Sequence, residues 1–475
     1  MSQRNARTKS CKSCLSSARQ NASTADPDII STLPDSLLTH ILSHLSIRES
    51  VATSILSSRW RTLWTLVPQL HLIETDLNRP NLNLSFVDIV SRIWTLRNAI
   101  PNPMPLHTLS IVWLTHCHPF YVDTWVRAAI PHGLKELCLN ICNDTLLDFP
   151  RSVFFSTTLV ALKLAGNFSL NPPSDARFPS LRILHLALLN YANSESLSAI
   201  LTACPVLQDL CLYVFLRKDQ GNFNIVVQVP TLKRMYLCCF NYNFQSSSFK
   251  VHINTPALEY LIFKGHLVED VVLENLSHLV ALVLQVEIVN GVSTEDDAKR
   301  VWDLIRPLAH VKSLSLSTKT TEILCHAFGD NVPMFHNLFS LKFNGCLYFE
   351  WHAIRFLLGR APKLQILAFE SCPEHSYGQP TPDTSWEEPL DVPECLSSHL
   401  TTCHYKGFLG DKDEMQLVRQ ILKVARVLKT LKITVDGHLE SEEKLRVCEA
   451  LSTIVQKFPK SSQTCEIAFD ERALL

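Results

Sequence analysis

Three short clusters in this 475-residue chain hold residue types that could do chemistry. His116-Cys117-His118 offers metal-grade donors. Neighbours on a strand point to opposite faces, so only His116 and His118 converge, and no third or fourth ligand lies nearby. Cys11-Lys12-Ser13-Cys14 is a CxxC with no second pair at matching spacing, which reads as chance. Cys238-Cys239 are adjacent, which suits core packing better than a disulfide. The sixteen cysteines sit mostly in apolar runs, as Cys138, Cys211 and Cys346 do, and read as buried, reduced thiols of an intracellular protein. No G-x-S-x-G or H-E-x-x-H occurs, and with only 12 glycines there is no phosphate-cradling loop. The expectation is no catalytic residue, no metal and no cofactor. Binding is what remains.

Composition narrows the partner. A formal net charge of -1 gives no global field toward nucleic acid or membrane, and neither is expected as a partner. No run is apolar enough to span a bilayer. Hydrophobic content of 46% allows a large core, and the length asks for several domains or a repeat array.

A repeat is present. From residue 106 one phrase recurs: leucine, two residues, an apolar residue, one residue, an apolar residue. It runs through Leu106-Leu109-Ile111, Leu134-Leu137-Leu139, Leu159-Leu162-Leu164, Leu181-Leu184-Leu186, Leu207-Leu210-Leu212 and Leu232-Met235-Leu237. Leu258-Leu261-Phe263, Leu279-Leu282-Leu284, Val311-Leu314-Leu316, Leu338-Leu341-Phe343 and Leu364-Leu367-Phe369 follow. The spacing lies mostly near about 25 residues, within the leucine-rich-repeat range. Prolines such as Pro179, Pro205, Pro230, Pro256 and Pro362 stop one segment and lead into the next. The reading is a solenoid with a parallel concave sheet and an irregular convex side, part helical and part looped, with a longer insertion at Glu287 to Arg306. The asparagine of the strict repeat is largely missing, Asn344 excepted.

Asp28 to Trp64 is different. Leu37, Leu38, Ile41, Leu42 and Leu45 have helical spacing behind Pro34, which fits a first helical turn. Val51, Ile55 and Leu56 read as a second helix, and Trp60, Leu63 and Trp64 as a third cluster. So few residues cannot bury this much leucine and tryptophan without a partner. Asp28, Ile30-Ser31, Leu33-Pro34-Asp35, Leu37-Leu38, Ile41-Leu42-Ser43, Leu45, Val51, Thr53-Ser54, Leu56-Ser57, Arg59-Trp60-Arg61 and Leu63-Trp64 together resemble a plant F-box. Further on, Trp386, Pro389, Val392-Pro393, Cys395-Leu396, Leu400, Phe408, Gly410, Glu414, Val418, Ile421-Leu422, Ala425 and Leu428-Lys429 resemble the FBD region that ends many plant F-box proteins with leucine-rich repeats. Glu414 to Lys429 has helical spacing, Leu428-Leu431-Ile433 repeats the strand phrase, and Ser441 to Lys457 reads as a helix with Ser441 as its cap.

The fold class is therefore α/β: a three-helix F-box, an irregular leucine-rich-repeat solenoid and an FBD-type C-terminal cap. The expected bounds are a disordered basic leader over 1–25, F-box 26–72, repeats 106–372, a linker loop 373–392 and the FBD-like region 393–475. A transit peptide or a nuclear signal is the alternative for the leader.

The resemblance implies a substrate-recognition subunit of an SCF-type cullin–RING ubiquitin ligase, in cytoplasm or nucleus. Its F-box would dock a Skp-type adaptor, and a cullin through it, while its repeats would bind a protein target. Docking candidates are Leu33, Pro34, Leu37, Leu38, Ile41, Leu42, Leu45, Val51, Leu56, Trp60 and Trp64; sequence does not divide interface from internal core. In each strand phrase the residue between the last two apolar positions faces the concave side. His185, Cys211, Tyr236, Ile262 and Val283 in that column form the candidate target-binding strip, unless an accessory element covers it. The rival readings are a leucine-rich scaffold outside ubiquitination and a small-molecule-dependent receptor.

Overall fold

The computed structural model describes residues 29–77, 84–99, 104–115, 117–142, 146–188, 194–216, 223–241, 249–267, 270–288, 293–327, 332–345, 351–371, 392–457 and 460–469. The basic leader, the Cys11/Cys14 pair, His116 and nearly all of the 373–392 linker lie outside the described residues. The chain divides into two compact units, with the break between Val67 and Pro68.

The first unit holds α1 (Ile29–Thr32), α2 (Asp35–Leu42), α3 (Ile47–Ala52) and α4 (Trp60–Leu63), with 3-10 turns at Thr53–Ile55 and Trp64–Leu66. Pro34 lies one position before the expected first turn. It is the extended residue ahead of Asp35, and its carbonyl accepts from the N–H groups of Leu37 and Leu38. Ser46 and Glu49 make a reciprocal capping box that starts α3. The core is Leu38, Leu42, Ile47, Trp60, Leu63, Trp64 and Val67. Inside it the Ser50 hydroxyl donates to the Leu42 carbonyl at 3.0 Å, satisfying the end of α2.

The second unit is built on one parallel sheet of 15 strands. In order they are Gln69–Ile73, Thr108–Trp113, Glu136–Ile141, Ala161–Gly166, Ile183–Leu188, Asp209–Leu216, Arg234–Asn241, Tyr260–His266, Ala281–Glu287, Ser313–Ser317, Ser340–Asn344, Ile366–Glu370, Thr402–Phe408, Thr430–Val435 and Glu466–Phe469. Phe223–Val227, Phe249–Asn254 and Asp270–Glu274 form a separate three-stranded sheet. The phrases stack in register. Leu109 lies beside Leu137, Leu137 beside Leu162, and the alignment continues through Leu184, Leu210, Met235, Leu261, Leu282, Leu314, Leu341 and Leu367. These side chains are buried. Each contributes on the order of 1.5–3 kcal/mol, an upper figure because the unfolded chain buries some of this surface already.

Between the strands the chain is irregular, as expected. Phe86–Asn98, Pro119–Ala129, Ser194–Thr202, Glu295–Ile305, Thr318–Cys325 and Trp351–Gly359 are helices, as are the shorter Glu74–Leu77 and Glu394–Ser398, while three other connections carry the strands of the smaller sheet. The Glu287–Arg306 insertion is mostly the Glu295–Ile305 helix, started by a Thr294/Asp297 capping box and burying Val301, Trp302 and Ile305.

The sheet passes both bounds expected for the repeats. Gln69–Ile73 lies inside the stretch assigned to the F-box, and the FBD-like region supplies the last three strands. That region is the C-terminal end of the solenoid, as expected of the cap, and it extends the same sheet. Phe343, Phe369 and Tyr405 stack across three neighbouring strands, with centroids 5.6 and 5.5 Å apart. The helix expected over Glu414 to Lys429 is Lys412–Val424; Leu428 instead leads into the Thr430–Val435 strand. Ser441 is the first residue inside its helix, not the cap before it.

Candidate functional site

In the first unit α2 carries two apolar stripes side by side. Leu38 and Leu42 face the core at 0% and 1% exposure, while Leu37 and Ile41 face outward at 48% and 45%. Leu45 extends the outward stripe, and Val51, Leu56 and Ile55, the last 88% exposed, continue it along the chain. The structure shows which of the docking candidates are buried and which are exposed. Leu38, Leu42, Trp60 and Trp64 are internal core. Pro34, Leu37, Ile41, Leu45, Val51 and Leu56 are exposed, and Leu33 is half-buried. The second helix differs from expectation, since it buries Ile47 and Ser50 and not Val51. Ile29, Ile30 and Ile55 also stand exposed but were not singled out as site residues. A 3-10 turn at Thr53–Ile55 breaks the helical period, so Ile55 is not on the second helix expected from its spacing with Val51 and Leu56.

Asp35 and Arg59 hold the two ends of this unit together. The Arg59 guanidinium donates to one Asp35 carboxylate oxygen at 2.8 and 2.6 Å and to the Leu33 carbonyl at 2.5 Å. The pair is largely exposed, so its role is positional more than energetic.

In the second unit the residues expected on the open side form one continuous ladder. His71, Ser110, Cys138, Lys163, His185, Cys211, Tyr236, Ile262, Val283, Ser315, Lys342, Ala368, His404, Lys432 and Ala468 are successive register partners. His185, Cys211, Tyr236, Ile262 and Val283 are adjacent in it and all half-buried. Two further open-side columns add aromatic rings beyond the strand phrase. Tyr213 lies 5.1 Å from Tyr236, Phe215 stacks on Phe240 at 6.0 Å, and Phe240 meets His266 edge-on at 5.4 Å. The missed signal is plain in Leu212-Tyr-Val214-Phe: the alternation continues two residues past the phrase.

Electrostatics on this face are local. Lys163 bonds Glu136 at 2.7 Å, and Arg234 bonds Asp209. Burial, helped by Lys163, pulls His185 below its ordinary range, against Asp209 and Glu136. Lys342 and Lys406 both bond Glu370 and hold its carboxyl below the usual range. Asn344 also faces the open side, where its amide donates to Ser315 Oγ at 2.6 Å, so it is not a buried repeat asparagine.

The chemistry-bearing clusters have structural duties. His118 caps the Pro119–Ala129 helix by accepting the Phe120 N–H at 3.3 Å. Burial pushes the Cys117 thiol up to about 12 and the Cys211 thiol to about 11, far from the thiolate form. Cys238 and Cys239 are free and buried. Among the described residues no group of His, Cys, Asp or Glu is placed to hold a metal, and no helix is long and apolar enough to cross a membrane.

Known proteins carry the same arrangement. The F-box domain model matches residues 30–71, the model for the leucine-rich repeats of the FBD-associated F-box protein At5g56370 matches 122–275, and the FBD model matches 387–433. That protein, from Arabidopsis thaliana, is 31% identical over 458 residues, covering 93% of this chain and 100% of its own length. The chain belongs to the F-box/FBD/leucine-rich-repeat family. The Arabidopsis F-box/FBD/LRR-repeat protein At4g26340 is 30% identical over 93% of this chain and all of its own, and the putative FBD-associated F-box protein At3g50710 is 29% identical over the same shares. On the structure, the F-box match covers the first unit and its exposed aliphatic stripe. The FBD match covers the Thr402–Phe408 strand, the Lys412–Val424 helix and most of the next strand.

Proposed function

We propose that this chain is the substrate-recognition subunit of an SCF-type cullin–RING ubiquitin ligase, acting inside the cell in cytoplasm or nucleus. The observation that carries the proposal is the outward stripe of Leu37, Ile41, Leu45, Val51 and Leu56 on a family-matched F-box. A small helical unit that leaves this much aliphatic surface in water has a partner surface to cover it. F-box domains generally bind Skp-type adaptors, and the adaptor would bring the cullin. The open face of the sheet would hold a protein target at His185, Cys211, Tyr236, Ile262 and Val283. No catalytic step is assigned to the chain. Holding target and ubiquitin-loaded enzyme in one complex raises their effective concentration, and that is the mechanism.

Co-expression with a plant Skp-type adaptor tests the docking half. Wild type should co-purify at micromolar concentration. Leu37→Ser/Ile41→Ser should not, although its melting curve matches wild type. Retention of the adaptor by this folded variant would move the interface elsewhere. An adaptor complex that never joins a cullin would favour the scaffold reading.

A further inference from the structure

One cavity of the second unit lies off the ladder, at the edge where the chain enters three neighbouring strands. It has a volume of about 440 Å³, and its polar wall is Ser277, His278, His310, Lys312 and Asn337, beside two aliphatic residues. The repeat itself brings these side chains together. His278, His310 and Asn337 each stand one position before the first apolar residue of a strand phrase, and Lys312 stands one position after it. Ala281 pairs with Ser313 and Ser313 with Ser340, so His278, His310 and Asn337 fall in line at the entry edge, their backbones about 4.8 Å apart. Lys363 takes the same position at the following strand.

Every polar side chain in this wall can donate a hydrogen bond, and none of the described lining residues is an acid. Lys312 and Asn337 are exposed, and their side chains have no partner among the described residues. Ser277 Oγ and His278 Nδ1 touch at 3.4 Å, a long contact that a ligand can displace. His310 is held in place. The Leu276 carbonyl only accepts, so His310 Nε2, at 3.1 Å, is the donor and the other ring nitrogen is left over. Acids on the segments that lead to this edge have partners of their own. Glu259 pairs with Lys233 at 3.6 Å, Glu274 accepts from Asn254 at 3.2 Å, and Asp303 pairs with Arg306 at 2.8 Å.

We propose that this edge cavity is a binding site for a phosphate monoester, separate from the target strip and from the F-box stripe. Lys312 supplies the charge. Asn337, Ser277 and His278 supply directed donors for the phosphate oxygens, and hydrogen bonds to an ionised acceptor are the strong ones. A phosphate offers three strong acceptor oxygens, one more than a carboxylate, and so uses a wall of several donors more fully. The volume falls in the range of small-ligand sites and leaves room for the group that carries the phosphate. That carrier is either a side chain of a bound protein or a free small molecule. The chemistry recognised is the same.

The test uses the full chain and reads binding of phenyl phosphate by calorimetry, with benzoate as a carboxylate of similar shape. Phenyl phosphate should bind saturably, be displaced by inorganic phosphate, and bind about tenfold or more tighter than benzoate. Lys312→Gln should weaken it about tenfold or more, and Asn337→Ala about threefold, with melting curves unchanged because both side chains are exposed and unpartnered. Lys312→Arg keeps the charge and should retain more binding than Lys312→Gln. A random peptide pool with one fixed phosphoserine, set against the same pool carrying serine, then finds the source. Phosphopeptide capture that is lost in Lys312→Gln supports the site with a protein as carrier. Phenyl phosphate binding without phosphopeptide capture supports it with a small molecule as carrier. Undiminished phenyl phosphate binding by folded Lys312→Gln/Asn337→Ala, equal binding of benzoate, or no binding of either compound at millimolar concentration would overturn the proposal.

Discussion

The two units expose apolar surface in different ways. In the F-box unit Leu37, Ile41 and Val51 on short helices, with Leu45 and Leu56 in the bends between them, are exposed. There are too few residues to enclose both stripes of α2, so one faces the core and the other is left outside. On the open face of the sheet Cys211, Tyr236, Ile262 and Val283 are half-buried by one another, because strands lie only about 4.8 Å apart. Ion pairs at Glu136–Lys163 and Asp209–Arg234 border them. The first surface suits one dry, helix-packed partner; the second suits a mixed polar and apolar segment. Charge placed on each surface tests the contrast with the largest effect. Leu37→Asp/Ile41→Asp should abolish adaptor capture. Two aliphatic side chains carry on the order of 3–6 kcal/mol of burial, a loss of about a hundredfold to ten-thousandfold in affinity. Ile262→Asp should leave adaptor capture unchanged and affect target binding alone. Equal loss from both would erase the division of labour.

The next effect concerns how the FBD strands are held in the sheet. Glu414 is buried and accepts the Tyr405 hydroxyl at 2.7 Å and the N–H groups of Leu409, Gly410 and Asp411 at 2.9, 2.7 and 3.1 Å. Burial raises its carboxyl above the usual range, against the pull of these donors. At the opposite end of the sheet, buried Glu74 does the same work, accepting the N–H groups of Leu114 and Thr115 at 2.7 and 2.9 Å. Glu414→Ala strands three amide donors and a phenol, and should cost about 2–4 kcal/mol. Glu414→Gln keeps one oxygen for the amides and turns its amide group toward Tyr405, so its cost should stay below about 1 kcal/mol. Urea midpoints of the two variants decide this. Equal destabilisation would mean the negative charge matters and not the hydrogen bonds.

Backbone contact comes next in size. Gly265 has φ +116, and a Cβ there would strike the Cys239 carbonyl of the neighbouring strand. Gly265→Ala should cost about 1–3 kcal/mol through strain and displacement of that strand. Gly437→Ala meets nothing within 4 Å and has no positive φ, so it should change little. Thermal melts of the two compare them directly.

Much of this architecture could be read from residue spacing. The strand phrase placed the inner ladder and its open-side column because period two leaves no freedom once Leu109, Leu137 and Leu162 are aligned. Three strands of the main sheet escaped, as did the short strands of the smaller sheets. Val67-Pro68-Gln69-Leu70-His71-Leu72 carries the phrase but falls where the F-box pattern ends, and Leu400-Cys403-Tyr405 replaces the leucines. In Glu466–Phe469 the phrase shrinks to Ile467 and Phe469 on a short, exposed edge. The split of α2 into core and outward stripes was not legible. Leu37 and Leu38 are identical residues one step apart, and only the position of Trp60 and Trp64 decides which is covered.

The smallest expected effect distinguishes the two ends of the open face by pH. Glu370 is depressed mainly by its bond to Lys342 and next by Lys406. A carboxyl depressed by folding stabilises the protein fully above its unfolded value of 4.5, and that contribution is lost as pH falls through the lower folded value. His185 is also depressed, by burial and then Lys163, so its contribution is present above 6.5 and is lost as pH falls below that. Lys342→Gln should therefore make stability less steep in pH only below 4.5, leaving the histidine window as it was. At neutral pH the change should be a few tenths of a kcal/mol, because the pair is partly exposed to solvent. Urea midpoints taken from about pH 7 down to pH 3 resolve both windows. A change confined to the upper window would couple Lys342 to His185 across the whole strip, and the two ends would then not be electrostatically separate.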